Sequence, residues 1–411
     1  MRVHFQKVPE GAFPNGGDSI RGSDRQGGRK TEVDQRIMAH ARRKSSDLSL
    51  ELPALYAFTH DGLEGIAADE IIQELQGEVK KTARGMVVFR LSHIDESVLS
   101  LRTTEDVFLL AWGSDSLTYR AADLDVIRHW TARKPNWPCL FRWHHRVRPL
   151  QRGKPTFHLV CQMQGEHGYR RVDAEEAFRA GLRRVLPTGW YEVDENAWLE
   201  IWLTIHGRMA VCGVRLSDRS MRHRTYKQEH IAASLRPTVA AAMVRLAGIG
   251  PGMTVLDPMC GAGTILAEAL TVARHRKGGA PVQLLGGDID PHAVFVSTQN
   301  LNRVGPVGLA RWDARSLPLA DASVDRLLCN PPFGKQLASE EEILPLYMGL
   351  AREWNRVLKP GGRAVLLVME QKALSAALNP FRWTTIRRLA LRVLGQHCVL
   401  SVWHKPPKGM P

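Results

Sequence analysis

No run of the 411-residue chain approaches the ~18 consecutive apolar residues that a membrane-spanning helix requires. The N-terminus has no apolar stretch of the kind that drives secretion. The six cysteines include no C-x-x-C pair, which argues against a zinc ribbon and against a disulfide scaffold. The 16 histidines show no ligand spacing, so no metal site is expected. There is no internal repeat. These absences predict a reduced, cytoplasmic chain without membrane or metal partners.

Acid is the scarcer charge: 42 Asp and Glu against 56 Lys and Arg give a net charge of +14 and a pI near 9.8. Such an excess suits a polyanion, bound by counterion release. Arginine-rich coding bias produces the same excess, so charge alone does not decide. Hydrophobic residues at 44% and charged residues at 24% are an ordinary globular balance. The length corresponds to about two to four domains.

Residues 1–48 hold many Gly, Ser, Arg and Lys without an apolar period and read as a disordered basic tail, with Met38 as a later candidate start. From residue 50 to 118 a small α+β unit follows: strands at Leu55–Phe58, Gly85–Leu91 and Val107–Trp112, a helix over Gly62–Leu75 and a short one over Asp95–Leu101. Residues 120–217 read as a second unit, with helices at Ala122–Trp130 and Ala174–Leu186. Its strands are Thr156–Gln162, Trp198–Ile205 and Met209–Leu216, the last two forming a hairpin at His206-Gly207. Residues 218–236 form a linker. Over 237–405 short buried strands (Met253–Leu256, Val282–Leu285, Val307–Ala310, Val324–Cys329, Ala364–Val368) alternate with helices at Ile265–Ala273, Pro291–Leu301 and Leu344–Leu358. That alternation predicts a doubly wound parallel sheet. Thr385–Val393 and His397–Trp403 close it as an antiparallel hairpin.

Four motifs follow four of these strands in order. Asp257-Pro-Met-Cys260-Gly261-Ala262-Gly263-Thr264 is a strand end, a Gly-rich turn and a helix start. The glycines admit close backbone approach, and the helix start offers free N–H groups. The position of the third glycine in the dinucleotide fingerprint holds Leu266, and no Gly-Lys-Ser/Thr follows, so neither that fingerprint nor a Walker loop is met. An acidic residue followed by G-x-G-T suits a ligand with an ammonium group and no phosphate, such as S-adenosylmethionine. Next, Asp288 ends a strand and can accept from both ribose hydroxyls, and Asp290 is either a further contact or a helix N-cap. Then Asp313-Ala314 follows the third strand, where a carboxylate can accept from an adenine amine. The fourth, Asn330-Pro331-Pro332-Phe333-Gly334-Lys335, is the most specific. A planar exocyclic amine is a poor nucleophile. The Asn330 oxygen and the Pro331 carbonyl can take its two hydrogens and align the nitrogen for transfer, while Phe333 stacks on a flipped base. Cys260 and Cys329 lie nearby and read as small packing residues rather than nucleophiles.

With these motifs, residues from about 220 to 405 resemble the class I S-adenosylmethionine-dependent amino-methyltransferases. Upstream, the stretch Phe58–Ala67 and the run Leu101-Arg102-Thr-Thr-Glu-Asp look like a ferredoxin-like domain that precedes THUMP domains. Phe157–Val160 through Arg215–Tyr226 looks like a THUMP domain and its exit linker. The whole is similar to the THUMP-containing RNA guanosine-N2 methyltransferases, nearest to those acting at the sixth nucleotide of the tRNA acceptor stem.

The resemblance implies a Rossmann-like domain with a mostly parallel seven-stranded sheet and a terminal antiparallel hairpin, preceded by an α+β ferredoxin-like and THUMP module. It implies that Asn330, Pro331, Pro332 and Phe333 receive the guanine. Asp257, Cys260, Gly261, Ala262, Gly263, Thr264, Asp288, Asp290, Asp313 and Ala314 would hold S-adenosylmethionine. The THUMP domain would grip the 3′ end of tRNA. A monomer is expected. Large-subunit rRNA, an adenine N6 target and a non-catalytic RNA-binding role are the alternatives, and a small activating subunit, needed by some eukaryotic relatives, stays open.

Basic clusters agree with an RNA path. Residues 120–154 carry nine Arg and Lys against Asp123 and Asp125. Trp130, Trp137, Phe141 and Trp143 are interleaved with them, as base-stacking residues or as core. Seven Lys and Arg and no acid lie in 371–411. Arg142, Arg146, Arg148, Arg152, Lys154, Arg222, Arg224, Lys227 and Lys335 are the candidate RNA contacts.

Overall fold

A computed structural model describes residues 51–149, 153–231, 234–275, 279–332, 343–393 and 395–408. The expected tail and the candidates Arg152, Phe333 and Lys335 lie outside them. No helix among the described residues is long and apolar enough to cross a membrane.

The first part of the chain runs β1 (Leu55–Thr59), α1 (Glu64–Leu75), β2 (Glu78–Ala83), β3 (Met86–Arg90), a 3-10 turn (Glu96–Ser100) and β4 (Thr104–Ser114). It continues through α2 (Asp123–Arg133), α3 (Trp137–Val147), β5 (Thr156–Gln164), α4 (Arg171–Leu182), β6 (Tyr191–Glu192), β7 (Leu199–His206) and β8 (Met209–Arg215). The strands form one sheet in the order β2-β3-β1-β4-β8-β7-β5-β6. Its first four strands are antiparallel throughout, in the ferredoxin-like order. The two units read from the sequence are therefore halves of one sheet, joined where β4 pairs β8 antiparallel, from Phe108↔Arg215 to Ser114↔Ala210. β4 runs to Ser114, past the apolar stretch that marks it in the sequence.

Two elements carry no strong pattern. β2 is an edge strand, largely exposed, with the sequence EVKKTA, so it has no apolar alternation to betray it. α3 lies inside the basic, aromatic segment. Asn136 caps it by accepting from the Cys139 N–H at 3.2 Å, and Pro138 fits its first turn. Its inward face buries Trp137, Phe141 and Trp143, while Arg142 and Arg146 stay outside. Of the two readings open for them, those three aromatics take the core one. The Trp137 indole N–H donates to the Thr131 carbonyl at 2.8 Å, which satisfies its polar edge.

The second part runs α5 (Arg219–His223), α6 (Pro237–Ala247), β9 (Thr254–Asp257), α7 (Thr264–His275), β10 (Gln283–Asp288), α8 (Pro291–Asn302), β11 (Gly308–Arg311) and β12 (Val324–Cys329). It ends with α9 (Ile343–Val357), β13 (Leu358–Val368), α10 (Gln371–Leu378), β14 (Thr384–Val393) and β15 (Gln396–His404). The seven-stranded sheet has the order β11-β10-β9-β12-β13-β15-β14. β9 to β13 pair in parallel, and β15 lies antiparallel between β13 and β14. Strand order reverses at β9 and β12, so the C-terminal ends of these neighbours form the crevice where such sheets bind ligands.

The two parts share an apolar core: Leu63 and Ile66, at the start of α1, pack with Val239, Met243, Leu391 and Val393. Charged groups are buried at the same junction. Glu268 of α7 is fully buried and accepts from Arg102 Nε at 2.6 Å and Nη2 at 2.9 Å, from Arg224 Nε at 3.3 Å and from the Tyr226 hydroxyl at 2.7 Å. A buried carboxylate requires such partners.

Candidate active site

Asp257 ends β9, and only 1% of its surface is exposed. Its carboxylate accepts from the Met259 N–H at 3.3 Å. Burial pushes its pKa up to about 8, with the nearby charge of Asp288 adding to the rise. A buried acid with one weak donor keeps acceptor capacity for a cationic or N–H partner.

The turn that follows is shaped by backbone. Gly263 has φ +76°, and a Cβ there would stand 3.1 Å from Ser297 and Leu301 of α8. Across the crevice, a Cβ on Gly287 would meet the Ala310 carbonyl at 2.3 Å and the Trp312 ring at 2.5 Å. Cys260 N–H donates to the Gly287 carbonyl at 2.9 Å, and Gly261 N–H donates to Asp288 at 3.0 Å, which ties the turn to the end of β10. Thr264, at the start of α7, has a buried hydroxyl without a hydrogen-bond partner. Asp288 also accepts from the Asp290 N–H at 3.1 Å. Asp290 accepts from the His292 N–H at 2.9 Å and so takes the N-cap alternative for α8.

Asp313 follows β11 and is half-buried. Arg315 donates to it from Nε at 3.0 Å and from Nη2 at 2.7 Å, holding its carboxyl below the usual range. Ala314 is buried. Trp312 between β11 and Asp313 donates from its indole N–H to the Pro258 carbonyl at 2.9 Å and spans the two strand ends.

Asn330 follows β12, flanked by the buried Cys329 and Pro331. Its side-chain oxygen is shielded from solvent and accepts no hydrogen bond. Buried polar atoms are normally satisfied, so an open acceptor in a crevice marks a place for a donor that arrives from outside. The Cys260 and Cys329 thiols are pushed up by burial, which keeps them protonated and removes them as nucleophiles.

The structure therefore gathers Asp257, Cys260–Thr264, Asp288, Asp313 and Asn330–Pro332 at one end of one sheet. The residues fit a nucleoside bearing a cationic amino-acid tail. The Asp257 and Asp288 carboxyls can take further hydroxyl or ammonium donors, Asp313 is engaged by Arg315, and the Thr264 hydroxyl has no partner within the protein.

Asn300 belongs to none of the sequence motifs. It is fully buried in α8 and uses all of its amide. The oxygen accepts from the Gln228 and Glu229 N–H groups at 3.2 and 3.0 Å, while the nitrogen donates to the Glu229 and Ala262 carbonyls, both at 3.0 Å. It clamps the linker onto the Gly-rich turn. Its signal was a polar residue within the inward stripe Ala293, Val296, Ser297, Asn300, Leu301.

The expected RNA contacts divide. Arg142, Arg146 and Lys154 are exposed, with Arg146 lying over the Trp143 ring at 4.7 Å and Lys154 near Tyr191 at 5.3 Å. Arg148 donates to the Leu216 carbonyl at 2.7 Å and pairs with Asp218 at 2.8 Å. It lines a cavity of about 730 Å³ with His144, Trp198 and Arg215. Arg222 pairs with the buried Asp106. Arg224 is buried, pairs with Glu268 and donates to the Arg102 carbonyl at 2.7 Å, so it is a structural residue rather than an RNA contact. Lys227 is half-buried and donates to the Leu235 carbonyl. Among the described residues no group of His, Cys, Asp and Glu is arranged to hold a metal.

Residues 224–397 match the family UPF0020, described as RMKL-like, methyltransferase domain. The chain is 29% identical over 331 residues, 79% of its length and 92% of the relative's, to a tRNA (guanine(6)-N2)-methyltransferase of Thermus thermophilus. It is 33% identical over 218 residues to the human U6 snRNA (guanine-N(2))-methyltransferase THUMPD2, covering 52% of this chain and 41% of that one. The crystal structure of TrmN from Thermus thermophilus superposes with a TM-score of 0.70 at 27% identity, over 86% of this chain and 99% of that one. The chain spans about half the length of the mammalian relatives it matches.

Proposed function

We propose that this chain is an S-adenosylmethionine-dependent RNA methyltransferase that modifies the exocyclic N2 amine of a guanosine in tRNA, at the sixth nucleotide of the acceptor stem. The observation that carries the reading is the Asn330 oxygen, buried and without a donor at the end of β12. The similarity to the Thermus thermophilus tRNA enzyme extends over both parts of the fold, which favours tRNA over a target shared only by the catalytic domain.

Asp257, the Cys260–Thr264 turn, Asp288 and the Asp313-Ala314 pair would hold the cofactor, with Asp290 serving mainly as the cap that sets α8. Bound there, S-adenosylmethionine supplies an electrophilic sulfonium methyl. The Asn330 oxygen and the Pro331 carbonyl accept the two amine hydrogens and fix the nitrogen lone pair along one direction. Alignment of this kind is worth several kcal/mol, on the order of 7–11 for the best intramolecular cases. No strong base is needed, because the methylated amine loses its extra proton readily to water. Phe333 is assigned to stack on the base. The β1–β8 sheet, read as a ferredoxin-like half and a THUMP half, would hold the tRNA 3′ end, with Arg142, Arg146 and Lys154 toward the backbone. A monomer acting in the cytoplasm fits this reading.

The test is methyl transfer from labelled S-adenosylmethionine to unmodified tRNA and to deproteinised rRNA in parallel, followed by nucleoside mass analysis. N2-methylguanosine in tRNA is expected. N6-methyladenosine, or label only in rRNA, would overturn the assigned target.

A further inference from the structure

At the junction of the two parts lies a cavity of about 360 Å³ that the cofactor site does not use. Its walls come from β4, from the linker and from the start of α6. Arg222, His223, Lys227, His230 and Arg236 line it, with Glu105 as the one acid among the lining residues. Glu105 pairs with Arg236 at 3.1 Å, and Asp106 behind the wall pairs with Arg222, but Asp106 also serves Arg215 at 2.6 Å. Positive charge therefore exceeds negative in the cavity.

Three polar atoms of the lining are buried without partners: Arg222 Nε, Ser234 Oγ and Thr238 Oγ1. All three can donate. Thr238 is only 1% exposed, and it stands in the first turn of α6. That helix starts at Pro237, and its N-cap residue, Arg236, makes no side-chain cap. The first turn of α6, the buried hydroxyls and the unspent Arg222 N–H line the same cavity as Lys227, whose ammonium also donates to the Leu235 carbonyl, and together they offer donors to an oxyanion.

We propose that this cavity binds a backbone phosphate of the RNA substrate where the strand crosses from the N-terminal sheet to the catalytic domain. The proposal rests on the RNA reading above. Lys227 and His230 of the cavity wall bracket Gln228 and Glu229, whose N–H groups bond to Asn300, which in turn bonds to the Ala262 carbonyl. The phosphate would thus sit on the same linker segment that buttresses the cofactor turn.

The experiment measures affinity for an unmodified tRNA transcript by fluorescence anisotropy at several KCl concentrations. It compares the wild type with Lys227→Met, Thr238→Val and His230→Gln, and measures S-adenosylmethionine affinity by calorimetry on each. Lys227→Met should weaken RNA binding roughly tenfold and reduce the slope of log Kd against log salt by about 0.7–0.9, the share of one phosphate. Thr238→Val removes only a hydroxyl and His230 is exposed, so both variants should fold, bind cofactor normally and lose several-fold in RNA affinity. These two decide the matter if Lys227→Met does not fold. Wild-type affinity and slope in folded variants would overturn the phosphate site while leaving the methyltransferase reading intact. A wild type that binds cofactor but no RNA at any salt would overturn both.

Discussion

Arg102 and Glu268 meet through two hydrogen bonds, 2.6 and 2.9 Å long, across the junction between the N-terminal sheet and the catalytic domain. Glu268 lies one turn into α7, the helix whose start carries the Gly-rich turn. The position of the first sheet is thereby referred to the helix that shapes the cofactor site, through a charge pair that solvent does not reach on the Glu268 side.

Removing Glu268 should be costly. Glu268→Ala leaves Arg102 and Arg224 facing each other without the carboxylate, a change that costs about 3–5 kcal/mol. Urea denaturation should show a lower midpoint and a split transition as the two parts uncouple. Arg102→Met combined with Glu268→Leu should recover part of the loss, because only one buried guanidinium, Arg224, is then left without the carboxylate instead of two. A midpoint within error of wild type for Glu268→Ala would contradict the assigned role.

Asn330→Ala should leave S-adenosylmethionine affinity near normal and lower turnover at least about a hundredfold, since the alanine cannot orient the amine. Calorimetry and single-turnover methyl transfer separate the two quantities. An equal loss of cofactor affinity would move Asn330 from substrate to cofactor.

Asn300→Leu should act at a distance. It deletes two donated and two accepted bonds between the linker and the Gly-rich turn. The expected result is a cofactor Kd raised roughly tenfold or more, with stability down by about 2 kcal/mol or more from newly orphaned backbone groups. Unchanged cofactor affinity would show that the turn holds its shape unaided.

These positions also show what was readable in the chain. The order Asp257, Asp288, Asp313, Asn330 follows four successive strand ends, so their gathering at one end of the sheet was legible from local pattern alone. Asn300 and Glu268 were not, because a polar residue in an apolar stripe announces that it is satisfied but not by what. The same limit hid the fate of Trp137, Phe141 and Trp143. Their neighbours are basic, and whether such a helix turns its rings or its arginines inward depends on a sheet formed by strands up to about 70 residues away. Arg224 illustrates the converse, a charge in a basic run drawn inside by a buried carboxylate.

Asp257 gives a proton signature. Its carboxyl, raised from 3.8 to about 8, stays protonated in the folded protein at neutral pH. The stability this confers is fully present below the unfolded value near 4 and is lost as pH rises through 8. If the ionised carboxylate receives the cofactor amine, binding at pH 7 should release about one proton. Calorimetry in buffers of different ionisation enthalpy measures it. The release should vanish above pH 9 and in Asp257→Asn.

His144 predicts acid sensitivity. Burial, aided by His145 and Arg148, lowers its pKa from 6.5 to about 3. The unfolded chain therefore binds a proton between these values that the folded chain refuses. The contribution is present above pH 6.5 and is lost as pH falls toward 3, by up to about 1.4 kcal/mol per pH unit. His144→Phe should flatten the fall in thermal midpoint between pH 6.5 and 4. An unaltered slope would assign the acid sensitivity elsewhere.

The pairing of β4 with β8 has a practical consequence for dissecting the chain. A cut in the segment between β4 and β5, where composition suggests a boundary, would free no domain. It would strip β4 from β8 and bare two long backbone edges, each lined with unpaired amides and carbonyls and bordered by Phe108, Leu109, Val211 and Val214. Such fragments are templates for aggregation. The first sheet is therefore expressed and lost as a single piece, and its β5–β8 half cannot be studied apart from the β1–β4 half that packs on the catalytic domain.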